Sequence, residues 1–189
     1  MSIDRKIVVP DIIREIVEET EVRFNEWNVL KNPDAEYVKI QFYADQLRSI
    51  NGDLSAREQT MEGKKNKYPA IMLVDPTPVK YSTLVEYVEA DVHILIVTDT
   101  FGKISESADN RRKLVYKPVL YPILECFKDA IENHIQVFGT SDTWTEIDRY
   151  RLNSSFSAEP KSQSLKSLFP DYIDGIEIYG LKINFIETC

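Results

Sequence analysis

The chain has 189 residues, of which 43% are hydrophobic, 11% aromatic and 29% charged, and its 31 acidic against 23 basic residues give a formal charge of −8. That length fits one domain, since domains run roughly 100 to 200 residues, and the composition is that of a folding sequence, neither a disordered nor a membrane-embedded one. The acidic balance argues against a protein that wraps nucleic acid over its whole surface, because such binding rests on Lys and Arg neutralising phosphates.

The opening MSIDRKIVVPDIIREIVEE has no uninterrupted apolar stretch of signal-peptide length, and no window approaches the ~18 apolar residues of a membrane span. The expectation is a protein that stays in the compartment where it is made, with no membrane partner. The first element reads as a helix of about 18 residues. Pro10 sits in its first turn and Asp11 near its positive end, with Ile13, Ile16, Val17, Phe24 and Trp27 on one side and Arg14, Glu15, Glu18, Glu19 and Arg23 on the other. Asn32-Pro33-Asp34 ends it, and Val38, Ile40 and Phe42 then alternate with Lys39 and Gln41 as in a strand with one buried face.

Residues 46–67 are mostly polar, with a turn signal at Asn51-Gly52-Asp53 and a basic run at Lys64, Lys65 and Lys67, and are expected to form a long loop or arm. Two strands follow at 70–75 and 88–98; in the second, Val88, Ala90, Val92, Ile94 and Ile96 face one way. Pro76 and Pro78 between them exclude a tight hairpin and force an extended connection. Residues 105–134 read as helical but interrupted by Pro118 and Pro122, which predicts two pieces with a bend. The second piece, with Ile123, Leu124, Phe127, Ala130 and Ile131 on one face, is expected to lie on the sheet.

Strands are expected near 135–138 and across 143–152, followed by a second polar loop or arm over 153–171. At the end, Ile176 and Ile178 point to one face while Leu181, Ile183 and Phe185 resume with opposite parity. One residue has been inserted in the alternation near Gly180, the mark of a β-bulge. Adjacent strands without intervening helices predict a single α+β domain over 1–189: a mainly antiparallel mixed sheet with helices packed on one face.

Chemistry-bearing patterns are sparse. None of the six glycines forms a GxGxxG or Walker loop, so no nucleotide or other cofactor is expected. Cys126 and Cys189 make neither a disulfide framework nor a CxxC site. Of the two histidines, His134 falls at a helix C-terminus, where the helix dipole accounts for it. Glu89, Asp91 and His93 alternate along one strand and carry ligand types suited to a divalent metal, the basis of an alternative reading as a metal-dependent hydrolase or nuclease. Same-face positions on a strand sit about 7 Å apart, however, and three of them converge poorly on one ion. A polar sheet face, solvated or turned toward another subunit, is the plainer reading. Asp75 before Pro76 resembles the first acid of a nuclease centre, but no Asp/Glu-x-Lys strand follows it.

No catalytic, cofactor or metal residue is therefore assigned, and the protein reads as a non-enzyme. The run Lys64, Lys65, Lys67 and the run Arg111-Arg112-Lys113 reverse the prevailing sign locally, as contacts to phosphate or an acidic partner or as ordinary solvated charge. Trp144, Tyr172 and Tyr179 are amphipathic aromatics of the kind that anchor protein contacts or complete a core. The candidate protein-contact residues are Lys64, Lys65, Lys67, Trp144 and Tyr172.

Three stretches carry a family likeness: YPAIMLVDPTPVKY followed by VEYVEADVHILIVTDT, then RRKLVYKPVLYPILECFKDAI, then DYIDGIEIYGLKINF. With the order of elements, they resemble the phage tail terminator or tail-completion family, small α/β proteins that close a tail tube and join it to the head. The resemblance lies in pattern and transfers no functional residue one to one. It implies a homo-oligomeric ring, hexameric, built by head-to-tail interfaces. The ring would bind the tail tube protein on one face and a head-completion or connector protein on the other, in the virion at the head–tail junction after synthesis in the host cytoplasm. An acidic lumen would let DNA pass without specific binding, and the two long loops would order on assembly. A bacterial adaptor domain unrelated to phage, like the metal-dependent hydrolase, stays open at this point.

Overall fold

The computed structural model describes residues 7–57, 67–81, 87–100, 107–149 and 173–186. In chain order these form α1 (Val9–Lys31), β1 (Gln41–Asp45), α2 (Leu47–Arg57), β2 (Ala70–Val74), β3 (Val79–Tyr81), β4 (Tyr87–Asp99), α3, β5 (Val137–Thr140), β6 (Thr145–Arg149) and β7 (Ile173–Ile186). Helix α3 runs without interruption through three stretches: Ala108–Arg111, a π-helical Arg112–Leu120, and Tyr121–Asn133. The expected loop over 153–171 lies outside the described residues.

The seven strands make one sheet in the order β1-β2-β4-β7-β5, with β3 beside β4 and β6 beside β7. Only β1 and β2 pair in parallel; every other pairing is antiparallel. The fold is thus α+β with a mixed, mainly antiparallel sheet. Its axis is the long β4–β7 ladder, whose alternation buries Ala90, Val92, Ile94 and Ile96 beside Ile176, Ile178, Leu181, Ile183 and Phe185. Onto that face pack Ile13, Ile16 and Phe24 of α1 and Ile123, Phe127 and Ala130 of α3.

The parity jump in the last strand is a bulge. Val92 pairs with Leu181 and Ile94 with Ile178, so Tyr179 and Gly180 together stand opposite His93. Gly180 supplies the left-handed backbone, at φ 72°, that such a bulge uses glycine to reach.

Strand β1 begins later than the alternation from Val38 suggests. Asn25 of α1 accepts the Val38 amide and donates to the Val38 carbonyl, both at 2.8 Å, and a Glu21 carboxylate oxygen accepts the Ile40 amide at 2.7 Å. With those backbone groups satisfied by helix side chains, sheet pairing starts only at Gln41, opposite Ala70.

The expected loop over 46–67 is corrected over its first part, where α2 forms. Ile50 and Leu54, four residues apart, are both buried and lie with Tyr43, Met72, Val74, Leu95 and Val97 on the opposite face of the sheet from α1 and α3. Burying each such side chain contributes about 1.5–3 kcal/mol, whereas a glycine inside a helix costs about 1 kcal/mol. Tertiary burial therefore overrides the Asn51-Gly52 turn signal, and Gly52 sits on the exposed side. The expectation of helices on one face holds for α1 and α3 and fails for α2.

The expected break at Pro118 is also corrected. The helix widens locally, and the Tyr121 amide bonds back five residues to the Tyr116 carbonyl. A π-helical stretch takes in the proline's missing donor and its ring without ending the helix, and Pro122 occupies the first turn of the final stretch. Pro76 and Pro78 act as expected: the chain leaves β2 extended and then pairs with β4 as the short β3.

Candidate functional site

The face of β4 that α2 covers at Leu95 and Val97 turns polar toward the strand's start, where Glu89, Asp91 and His93 are all half-buried. They share one face, as the alternation predicts, but Glu89 and His93 engage different neighbours. Lys80 approaches Glu89 at 3.2 Å, Asp91 stands opposite Lys182, and His93 Nε2 lies 2.8 Å from Glu177 Oε1. Among the described residues no three His, Cys, Asp or Glu side chains are grouped so as to hold a metal ion.

Glu177 is the hub of this face. Its side chain is 4% exposed, its second oxygen accepts from Arg149 Nε at 2.6 Å, and Arg149 also donates to the Tyr179 hydroxyl at 2.9 Å. Burial pushes the Glu177 carboxyl upward, but the hydrogen bonds from His93 and Arg149 and their charges outweigh it and hold the group below the usual carboxylate range. The His93 and Tyr179 rings lie 5.5 Å apart across the bulge. The network ties β4, β7 and β6 together where the ladder shifts register, using every one of its charges internally.

The Arg111-Arg112-Lys113 run divides. Arg111 turns inward to Asp174, Arg112 lies 3.9 Å from Asp148, and Lys113 is exposed together with Leu114 and Lys117. Tyr116, fully buried, donates toward the carbonyls of Arg149 and Gly175 and pins the π-helical stretch to β6 and β7.

Trp144 precedes β6 and is half-buried against the core; its indole donates to Glu146 at 2.7 Å. It lines a small apolar cavity with Phe127, Ile131, Ile178 and Leu181. Glu146 also holds Lys128 at 2.8 Å, so Trp144 seals a core edge as well as facing outward. Lys67 is 2% exposed, which corrects its reading as part of a surface contact patch; Lys64, Lys65 and Tyr172 lie outside the described residues.

The outward-facing features that sequence reasoning missed lie around β5. Ile135 is 78% and Phe138 76% exposed, on and just before a strand that pairs only with β7 among the described residues. Beside them a groove of about 400 Å³ opens between α1 and the end of α3, lined by Glu15, Glu18, Glu19, Val22, His134 and Ile135. His134 Nε2 stands 3.4 Å from Glu15. Apolar residues in a strand pattern read as core, and nothing local distinguishes an apolar residue that the fold leaves uncovered. Comparison with protein-family models and with curated proteins gives no match to this chain.

Proposed function

We propose that this chain is a phage tail terminator or tail-completion protein, a subunit that joins copies of itself head-to-tail into a ring, caps the tail tube and links it to the head connector. The observation that best supports this reading is the exposure of Ile135 and Phe138 on and just before a strand that, among the described residues, pairs only with β7. Large apolar side chains left exposed are costly in a lone subunit and favourable once another chain covers them.

The two ends of the sheet differ, β1 at one and β5 with β6 at the other. Unlike edges suit an interface in which one patch meets a different patch, and such interfaces close into rings. The formal charge of −8 suits a lumen through which DNA slides without adhering. The resemblance of the β2–β4, α3 and β7 stretches to tail terminators selects this assembly over a generic adaptor. Negative-stain imaging of the purified protein at high concentration, alone and with the tail tube protein, tests it. Rings, or caps on tube ends, are expected; particles of single-subunit size under both conditions contradict it.

A further inference from the structure

We propose that a second copy of this chain seats the exposed part of α3 bearing Lys113, Leu114 and Lys117 in the groove between α1 and the end of α3, against Glu15, Glu18, Val22 and Ile135. This rests on the ring assembly proposed above and assigns its interface.

The groove presents a stripe of α1 at spacings of three and four residues: Glu15, Glu18, Val22. Residues so spaced lie on one side of a helix. Glu18 has no ion-pair partner among the described residues, Glu15 meets only the His134 ring, and Glu19 is already held by Arg23 at 2.8 Å. Val22 is 49% and Ile135 78% exposed at the groove's rim. The groove thus sets apolar Val22 and Ile135 among polar side chains, with the Arg23 that also lines it held by Glu19, and leaves the Glu15 and Glu18 carboxylates facing an incoming cation.

The stretch of α3 is its counterpart. Lys113 and Lys117 flank Leu114, which is 49% exposed, and neither lysine has an ion-pair partner among the described residues. The chain's net charge of −8 makes most approaches between two copies repulsive. A docking orientation therefore needs a place where the sign reverses, and this exposed turn next to an apolar side chain is such a place. Leu114 set against Val22 and Ile135 puts its lysines over Glu15 and Glu18. Because groove and ridge are different patches of one chain, each copy offers one of each, and the association is head-to-tail.

Charge exchange at these exposed positions tests the assignment without touching the core. Glu15→Lys with Glu18→Lys, and separately Lys113→Glu with Lys117→Glu, are each expected to weaken assembly about tenfold or more, measured by sedimentation velocity, because like charges then face each other. The chain carrying all four substitutions restores the opposite signs and is expected to assemble within a few-fold of the wild type, as is an equimolar mixture of the two double variants. Double variants that assemble like the wild type, or a fourfold variant that stays dissociated, overturn the assignment while leaving ring formation standing. A wild type that never self-associates, alone or with the tail tube protein present, overturns both.

Discussion

Arg111 and Asp174 form an ion pair of 2.5 Å with their side chains 3% and 0% exposed. The pair joins the first turn of α3 to the second residue of β7, 63 positions apart. A buried pair of this kind is hard to weaken by halves, because removing one partner leaves a desolvated charge. Asp174→Asn and Arg111→Met are each expected to destabilise the fold by about 3–5 kcal/mol. A double replacement by apolar residues of similar volume should recover most of that loss. Urea unfolding of the three variants checks it.

Glu177 offers a pH test. Its folded-state carboxyl is held low, net of burial, by hydrogen bonds from His93 and Arg149. A depressed carboxylate contributes stability above its unfolded value of about 4.3 and loses it as pH falls through the folded value. Glu177→Gln is expected to lower stability by about 2–3 kcal/mol at pH 7, and the difference from wild type should shrink below about pH 4. Denaturant unfolding at pH 7 and pH 3 measures both; a difference that persists unchanged at pH 3 contradicts the assigned ion network.

At Gly180 the backbone has φ 72°, and a Cβ there meets nothing within 4 Å. The requirement is therefore conformational and not steric. Gly180→Ala is expected to destabilise by about 1–2 kcal/mol, and Gly180→Asn by less, since Asn enters the left-handed region more readily. Thermal unfolding of the two variants separates the cases; equal losses would point to packing instead.

How far the fold could be read in advance depended on whether the cause was local. The β4 alternation and the parity change between Ile178 and Leu181 are written within single strands, and the sheet and its bulge follow from them. Helix α2 was not legible because Asn51-Gly52 favours a turn locally, while the residues that reward a helix, Met72 and Leu95, lie far along the chain. The late start of β1 has the same origin, since Asn25 and Glu21 take the Val38 and Ile40 amides from another element. Within the candidate site, the shared face of Glu89, Asp91 and His93 was legible from period-two spacing. The partner that occupies His93 is 84 residues away and was not.

Helix α2 itself makes a sharp prediction. Leu54 is fully buried under the sheet, so Leu54→Ala is expected to cost about 2–5 kcal/mol. Hydrogen exchange should then show the amides of residues 47–57 losing protection. Wild-type protection in this segment at the level of an open loop contradicts the helix.

The account stands on self-association through the β5 side of the sheet. Sedimentation velocity of the wild type and of Phe138→Asp with Ile135→Asp, over a wide concentration range, tests it most directly, because both side chains are more than three-quarters exposed and their exchange leaves the core intact. The wild type is expected to form a discrete ring-sized species and the variant to remain a folded single subunit. Identical behaviour of the two proteins, in either state, both alone and with the tail tube protein present, contradicts it.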